Sequence, residues 1–519
     1  MELIKKNIHM DRVKCSAETQ ITVEEDMNIS DQKQDAFRII TEKGSVIVEE
    51  IRKSSDYVTV KGALCYSILY LTDEVQKRPA GMEGKIPFEE KVHMEGVSGN
   101  DTVMVKTKLE DITAGMINSR KMSIRALIGI CLCVDELYDE EALVDIADSG
   151  PMEILKKPMD VTVLAVDTKD IYRIKEEIEL SAGMPNIFEL IWKDLKVNGL
   201  EFKALDGKIS VQGEISGFFL YEGEGEERPI RYFEFNRPFG GVMELSGCRE
   251  DMILDMDYEM EHEDIEVRPD FDGEERIFGI DLALNLYVKL METQNIQMIR
   301  DVYGIMQDVE VVQKEGNCRN LLMKNIGKKK ISGVLKVEDK NLHILQVCHM
   351  DGELCVEEES ITPDGIKVAG AFMVKVIYIT GNDEVPYACL KGSVPFEHTM
   401  EIQNITQDSI FKITAQIEQM TASMSDAEEM DVKAVLSFCV IAYEKEKEPM
   451  LTDVAIKETD FEKRNTLPGM VVYIAKQNDH IWNVGKKYCV PIQSIREINH
   501  LTKDELNVGE KILVVKEMV

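Results

Sequence analysis

The chain has 519 residues, 44% of them hydrophobic and 30% charged, which is too long for one core and too apolar for wholesale disorder. With 96 acidic against 61 basic side chains the net charge is −35. Such a balance repels phosphate backbones and anionic lipid surfaces, so nucleic acid is excluded as a partner.

The N-terminal stretch MELIKKNIHMDRVKC lacks the apolar centre of a signal peptide. No apolar run reaches the roughly 18 residues of a membrane-spanning helix, so no transmembrane segment is expected. Eleven cysteines, an odd number with no C-x-x-C pair, fit a reducing cytosol better than a disulfide framework. Cys131 and Cys133 alternate in ALIGICLCV and are expected on one strand face as small buried side chains.

One pattern then recurs three times. Val60-Lys-Gly62 opens an apolar run ending at Tyr70, Val211-Gln-Gly213 one ending at Tyr221, and Val368-Ala-Gly370 one ending at Tyr378. Each tyrosine follows its glycine by eight residues. At twenty-five residues comes Pro-Phe: Pro87-Phe88, Pro238-Phe239 and Pro395-Phe396. Upstream the register holds without gaps, with apolar residues at Ile29, Leu180 and Val337, at Phe37, Phe188 and Leu345, and at Val46, Val197 and Leu354. Spacings of 151 and 157 residues between the glycines make each unit a domain and not a solenoid repeat.

Within a unit the period is two. VTVKGALCYSILYL, FMVKVIYIT and FEFNRPF are β-branched and aromatic runs bounded by Asp, Gly, Asn and Pro. Six or more strands per unit predict a β-sandwich or open barrel. The strand glycines read as bulges or close backbone approaches, and the prolines as starts of edge strands. The tyrosines read as buried rings with hydroxyls at the rim. The expected units are 1–148, 155–298 and 310–446. Residues 447–468, charged and aperiodic, are expected to form a solvated tether.

Residues 469–519 change character. MVVYIA is strand-like, and Asp479 is a candidate N-cap for a helix carrying Ile481, Val484, Gly485 and Tyr488 on one face. Pro491 opens a second helix with Ile492, Ile495 and Ile498, and KILVV closes the module as a strand. The fold class is therefore mainly β, with three sandwich- or barrel-like repeats followed by a small βααβ module.

Catalytic signals are poor. There is no Walker A, G-x-S-x-G, H-E-x-x-H or dinucleotide glycine fingerprint, so no enzyme and no cofactor are expected. Carboxylates alternating around His262 (Glu259, Glu261, Glu263, Asp264) suit an acidic exposed strand, and no metal is expected. His343 and His349 read as ordinary strand residues.

The stretches YIAKQNDHIWNVGKKYCV, SIREINHL and LNVGEKILV resemble the LysM family over the whole module. That resemblance implies a glycan groove between the loop after the first strand and the loop before the last. Its binding residues would be Asn478, Asp479, His480, Ile481, Trp482, Asn499 and Leu501. The family's usual Gly-Asp-Thr is here Asn478-Asp479-His480, and Cys489 stands where a glycine usually ends the first helix. Those departures turn the expectation from peptidoglycan or cortex binding toward protein docking, with Ile481 and Trp482 as an exposed apolar patch, the alternative for Trp482 being to pack the module's small core.

Tandem β repeats with V-x-G…Y…P-F ending in such a module resemble the SPOCS family of spore-coat proteins. The resemblance implies a coat-assembly scaffold on the mother-cell cytoplasmic face of the forespore. It also implies docking of the coat-basement ATPase SpoIVA through the LysM-like module, with other coat proteins as further partners.

Overall fold

The computed structural model describes residues 1–445, 449–458 and 468–516. The first repeat consists of β1 (Glu2–Asn28), β2 (Ala36–Ser54), β3 (Tyr57–Thr72), β4 (Pro79–His93), β5 (Val103–Asn118) and β6 (Lys121–Ala147). These form two three-stranded antiparallel sheets, β2-β3-β4 and β1-β6-β5. Their facing sides share one apolar core, including Leu64, Ile68, Tyr70, Ile124, Ile128 and Leu132. The expected sandwich is thus present, and the most apolar runs are the middle strands β3 and β6. A middle strand has neighbours on both edges and is covered on its inner face, which selects β-branched and aromatic side chains.

The second repeat repeats the plan with β7 (Met152–Glu179), β8 (Ile187–Leu205), β9 (Lys208–Gly223), β10 (Ile230–Glu244), β11 (Ile253–Pro269) and β12 (Glu275–Gly304). Its sheets are β8-β9-β10 and β7-β12-β11. In the third repeat the long outer strands are interrupted. β13 (Asp308–Lys314) precedes β14 (Arg319–Lys336), and β19 (Glu429–Lys445) is followed by β20 (Met450–Lys457). Between them lie β15 (Ile344–Thr362), β16 (Gly365–Thr380), β17 (Tyr387–Glu401) and β18 (Ile410–Met424). Part of the expected 447–468 tether is therefore a strand, because β20 pairs with β13 in register from Asp308↔Lys457 to Lys314↔Met450. Residues 447–448 and 459–467 of that stretch lie outside the described residues.

The recurring positions have one structural cause. Gly62, Gly213 and Gly370 each pair directly with the Phe of Pro-Phe: Phe88, Phe239 and Phe396. On the other side each faces a break in register, between Val48 and Glu50, Asn198 and Glu201, and Val356 and Glu358. In the first and third repeats the bulge brings backbone against the glycine, so a Cβ on Gly62 would lie 2.3 Å from the Ile47 carbonyl oxygen and one on Gly370 2.0 Å from that of Cys355, whereas at Gly213 the paired Phe239 ring fills the space. Pro87, Pro238 and Pro395 occupy edge strands, as expected, but in the middle of β4, β10 and β17 and not at their starts. An edge strand's outward N–H has no ladder partner to lose, so mid-strand proline is tolerated there. Tyr70, Tyr221 and Tyr378 are buried, and the hydroxyls of Tyr70 and Tyr221 donate to the Gln34 and Pro185 carbonyls in equivalent loops.

Not every repeated apolar position is core. Phe37, Phe188 and Leu345 are 40%, 50% and 61% exposed. The Lys77 ammonium lies over the Phe37 ring at 4.1 Å and the Arg228 guanidinium over Phe188 at 3.9 Å, so a cation caps each aromatic face. Cys131, expected buried, is exposed, and Cys133 is half-buried. All eleven cysteines are free thiols.

The repeats close on one another as a ring. The third repeat's core takes in Ile40, Leu69 and Leu71 of the first and Trp192, Phe218 and Leu220 of the second. Beyond the sandwiches, the outer ends of β1 and β6, of β7 and β12, and the β13–β20 pair are two-stranded ribbons. An isolated two-stranded ribbon is marginal in water. These three bury apolar faces on each other, Ile8, Ala142, Met159, Ile296 and Met450 in one layer and Leu143, Ile146, Ile299, Val302 and Val454 in the next.

Candidate docking site

The C-terminal module is built from β21 (Met470–Ile474), α1 (Ile481–Tyr488), α2 (Ile492–Asn499) and β22 (Lys511–Val515). Alternation in β21 and β22 turns Tyr473, Ile512 and Val514 toward the helices, where they meet Ile481, Val484 and Ile495. The opposite face presents Met470, Val472 and Ile474, each about three-fifths exposed, and register puts Leu513 opposite Val472 and Val515 opposite Met470.

Asp479 is not the N-cap. His480 holds that position without a side-chain cap bond, while the Asp479 carboxylate accepts from the Tyr473 hydroxyl at 2.6 Å and the Lys476 N–H at 2.8 Å. Those bonds hold the Asp479 carboxyl below its usual range. Pro491 caps α2 and Ile492 begins it. Ile498 is 40% exposed, off the core face expected of it. Cys489 has φ 54°, the left-handed conformation its position called for.

The predicted binding residues divide. Asn478 (φ 65°) and His480 are exposed on the loop after β21. This loop is tied to the loop before β22 by backbone bonds from Ile481 N–H to Asp504 and from Leu506 N–H to Asp479. Asn499 is a brace: its amide donates to the Ile495 and Leu513 carbonyls and accepts from the Leu513 N–H, joining α2 to β22. Leu501 packs half-buried against the core.

Ile481 and Trp482 do not form an exposed patch, since they are 1% and 8% exposed. Ile481 belongs to the module's core. Trp482 lies outside that core and faces the end of the second repeat's ribbon. Its indole N–H donates to Asp301 at 2.8 Å, its ring meets Tyr303 edge-on at 4.9 Å, and Lys486 holds both Asp301 oxygens at 2.7 Å. The Tyr303 hydroxyl donates to the Val490 carbonyl at 2.8 Å. Gly485 permits this approach, because a Cβ there would lie 2.5 Å from the Tyr303 oxygen. The module thus docks on the second repeat and not on the third, its neighbour in sequence. The ribbon motif behind this is repeated: Asp145, Asp301 and Asp453 each accept a bond from the next residue's N–H beside a bulge. Only the second ribbon follows it with a tyrosine, Ala147 and Ala455 standing at the equivalent positions.

Charged residues join the repeats. Lys43 of the first repeat pairs with Asp194 of the second, Lys196 of the second with Asp351 of the third, and Lys375 and Lys391 of the third with Glu42 of the first. His349, read as an ordinary strand residue, is part of this seam. Its Nε2 lies 2.8 Å from Asp194 and its Nδ1 3.3 Å from Glu234, and its ring stacks on Phe218 at 4.2 Å. Burial opposes the charged imidazole, but the bonds to Asp194 and Glu234 outweigh it and raise its pKa above the ordinary 6.5. A group whose folded pKa is raised stabilises fully below its unfolded value and loses that contribution as pH climbs through the folded one. Wild type is therefore expected to lose its thermal advantage over His349→Gln as pH rises from about 6 to about 9. Melting curves across that range check this, and a constant difference would refute it.

No group of three or more metal-ligating side chains occurs among the described residues, and no helix among them is long and apolar enough to cross a membrane. The family model described as SipL, SPOCS domain matches residues 35–117, 186–268 and 343–425. Each match spans the same window about its strand glycine, from the second to the fifth strand of a repeat, and leaves the ribbons and the module outside. No curated protein and no solved structure matches the chain.

Proposed function

The chain is a SipL-like protein of tandem SPOCS domains with a sporulation-related coat role, and from that premise we propose that it is a non-enzymatic assembly scaffold. Its LysM-like module docks a SpoIVA-like coat-basement ATPase at the forespore surface, on the mother-cell cytoplasmic side. The three repeats, locked as one ring, hold the module and offer acidic faces to further coat proteins. Tethering several contacts on one body raises avidity through effective concentration.

The observation that supports docking of a protein is the outer face of β21–β22. Met470, Val472 and Ile474 are exposed in a row, an apolar strip of the kind that marks protein contact. With Asp479 and Asn499 committed to internal bonds, few polar groups remain for a sugar.

The full-length chain, immobilised, is expected to capture the ATPase and to leave insoluble peptidoglycan in the supernatant. Val472→Glu is expected to cut that capture roughly tenfold or more, the effect of losing an interface hot spot. Retention on peptidoglycan without ATPase capture would overturn the proposal, and undiminished capture by Val472→Glu would remove this face from it.

A further inference from the structure

A cavity of about 680 Å³ lies where the three repeats converge on the ribbon side of the sandwiches. Every repeat supplies part of its wall: β1, β5 and β6 of the first, β7, β11 and β12 of the second, β14, β18 and β19 of the third. Its charge runs against the rest of the molecule. In a chain of net charge −35, lysines and arginines outnumber carboxylates on this wall.

Part of that positive charge is spent on the seam. Lys289 reaches Asp11 and Asp135, both at 2.6 Å, Arg319 reaches Asp11, and Lys412 bridges Asp255 and Asp257. Other capacity is unused. The Arg319 Nε–H is buried without an acceptor, and its guanidinium lies 4.8 Å over the Tyr443 ring. The Lys169 ammonium sits over Tyr287 at 4.5 Å. A cavity of this size with a few convergent polar groups and aromatic walls has the properties of a small-molecule site.

We propose that this cavity binds a small organic anion, its phosphate or carboxylate groups meeting Lys169 and Arg319 and its apolar part lying against Tyr287 and Tyr443. The chemistry requires anionic oxygens, which guanidinium and ammonium groups bind with charge-assisted bonds. The fit lies in the tertiary arrangement, since no single repeat holds as much as half of the wall. Ligand bound there would hold the three repeats together, coupling occupancy to the stability of the ring.

Calorimetric titration of the full chain with pyrophosphate and with citrate, at ionic strength matched by sodium chloride, tests this. One or both are expected to bind and raise the melting temperature, and which one binds separates a phosphate from a carboxylate ligand. Two variants move affinity in opposite directions. Lys169→Ala removes a cation and is expected to weaken binding about fivefold, whereas Asp167→Asn removes a carboxylate from the same wall and is expected to tighten it about fivefold. Unchanged melting of both variants without ligand shows that they fold. No binding beyond the chloride control, or affinity unmoved by both substitutions, would overturn the proposal.

Discussion

Replacing Gly370 with valine is expected to destabilise the chain by about 3 kcal/mol or more, the upper range for overpacking a site that cannot yield. The added Cβ would fall 2.0 Å from the Cys355 carbonyl oxygen, and the obstacle is backbone held in a bulge. The equivalent positions supply an internal scale. At Gly62 the nearest atom is again a carbonyl oxygen, of Ile47 at 2.3 Å. At Gly213 it is the tip of the Phe239 ring at 2.8 Å, and a ring can turn aside. Urea unfolding of the three variants should therefore rank Gly370→Val and Gly62→Val as severe and Gly213→Val as milder. Equal effects at all three sites would mean that the shared glycine answers to something other than backbone approach.

Replacing Asp301 with alanine is expected to release the C-terminal module from the second repeat. Asp301 accepts from the Trp482 indole and from Lys486 together, and a hydrogen bond to a charged partner contributes about 1.5–3 kcal/mol. The chain contains two tryptophans, and Trp192 is buried in the inter-repeat core. A red shift of emission in Asp301→Ala would thus report Trp482 entering water. Gly485→Val should give the same shift by a different route, by pushing on Tyr303. If neither variant shifts the emission, the module is not held by this contact. Because Trp482 serves this intramolecular seat, a substitution there changes docking onto the ring as well as any external binding.

Much of the fold was legible because its causes are local. Alternation with a period of two places a strand's side chains without knowledge of their partners, and turn residues mark where strands end. That is why the repeat register about Gly62, Gly213 and Gly370, the sandwich and the βααβ order could be read directly. The prolines were placed on edge strands but at the wrong point along them. Sequence does not show which side of the strand is unpaired.

The candidate site was less legible. Trp482 lies at helical spacing from the module's core residues, and an aromatic residue at such a position looks the same whether it fills its own core or a neighbour's. Its partners Asp301 and Tyr303 lie some 180 residues away. His349 read as an ordinary strand residue for the same reason, since a charge paired across a seam has the same sequence signature as a solvated one. The one available signal was repeat divergence: Tyr303 stands where the other ribbons carry Ala147 and Ala455.

Three β repeats in fixed register and a small helical module after them are written in the order of residues alone, because alternation, turns and caps act over a few residues; the pairing of each repeat glycine with its phenylalanine came from the strand register. Only the tertiary structure decided that the repeats close into a ring, that their outer strands bundle as ribbons, and that the module sits on the second of them. Those arrangements depend on which charged and apolar faces meet between different repeats, and burial of complementary faces leaves no periodic trace along the chain.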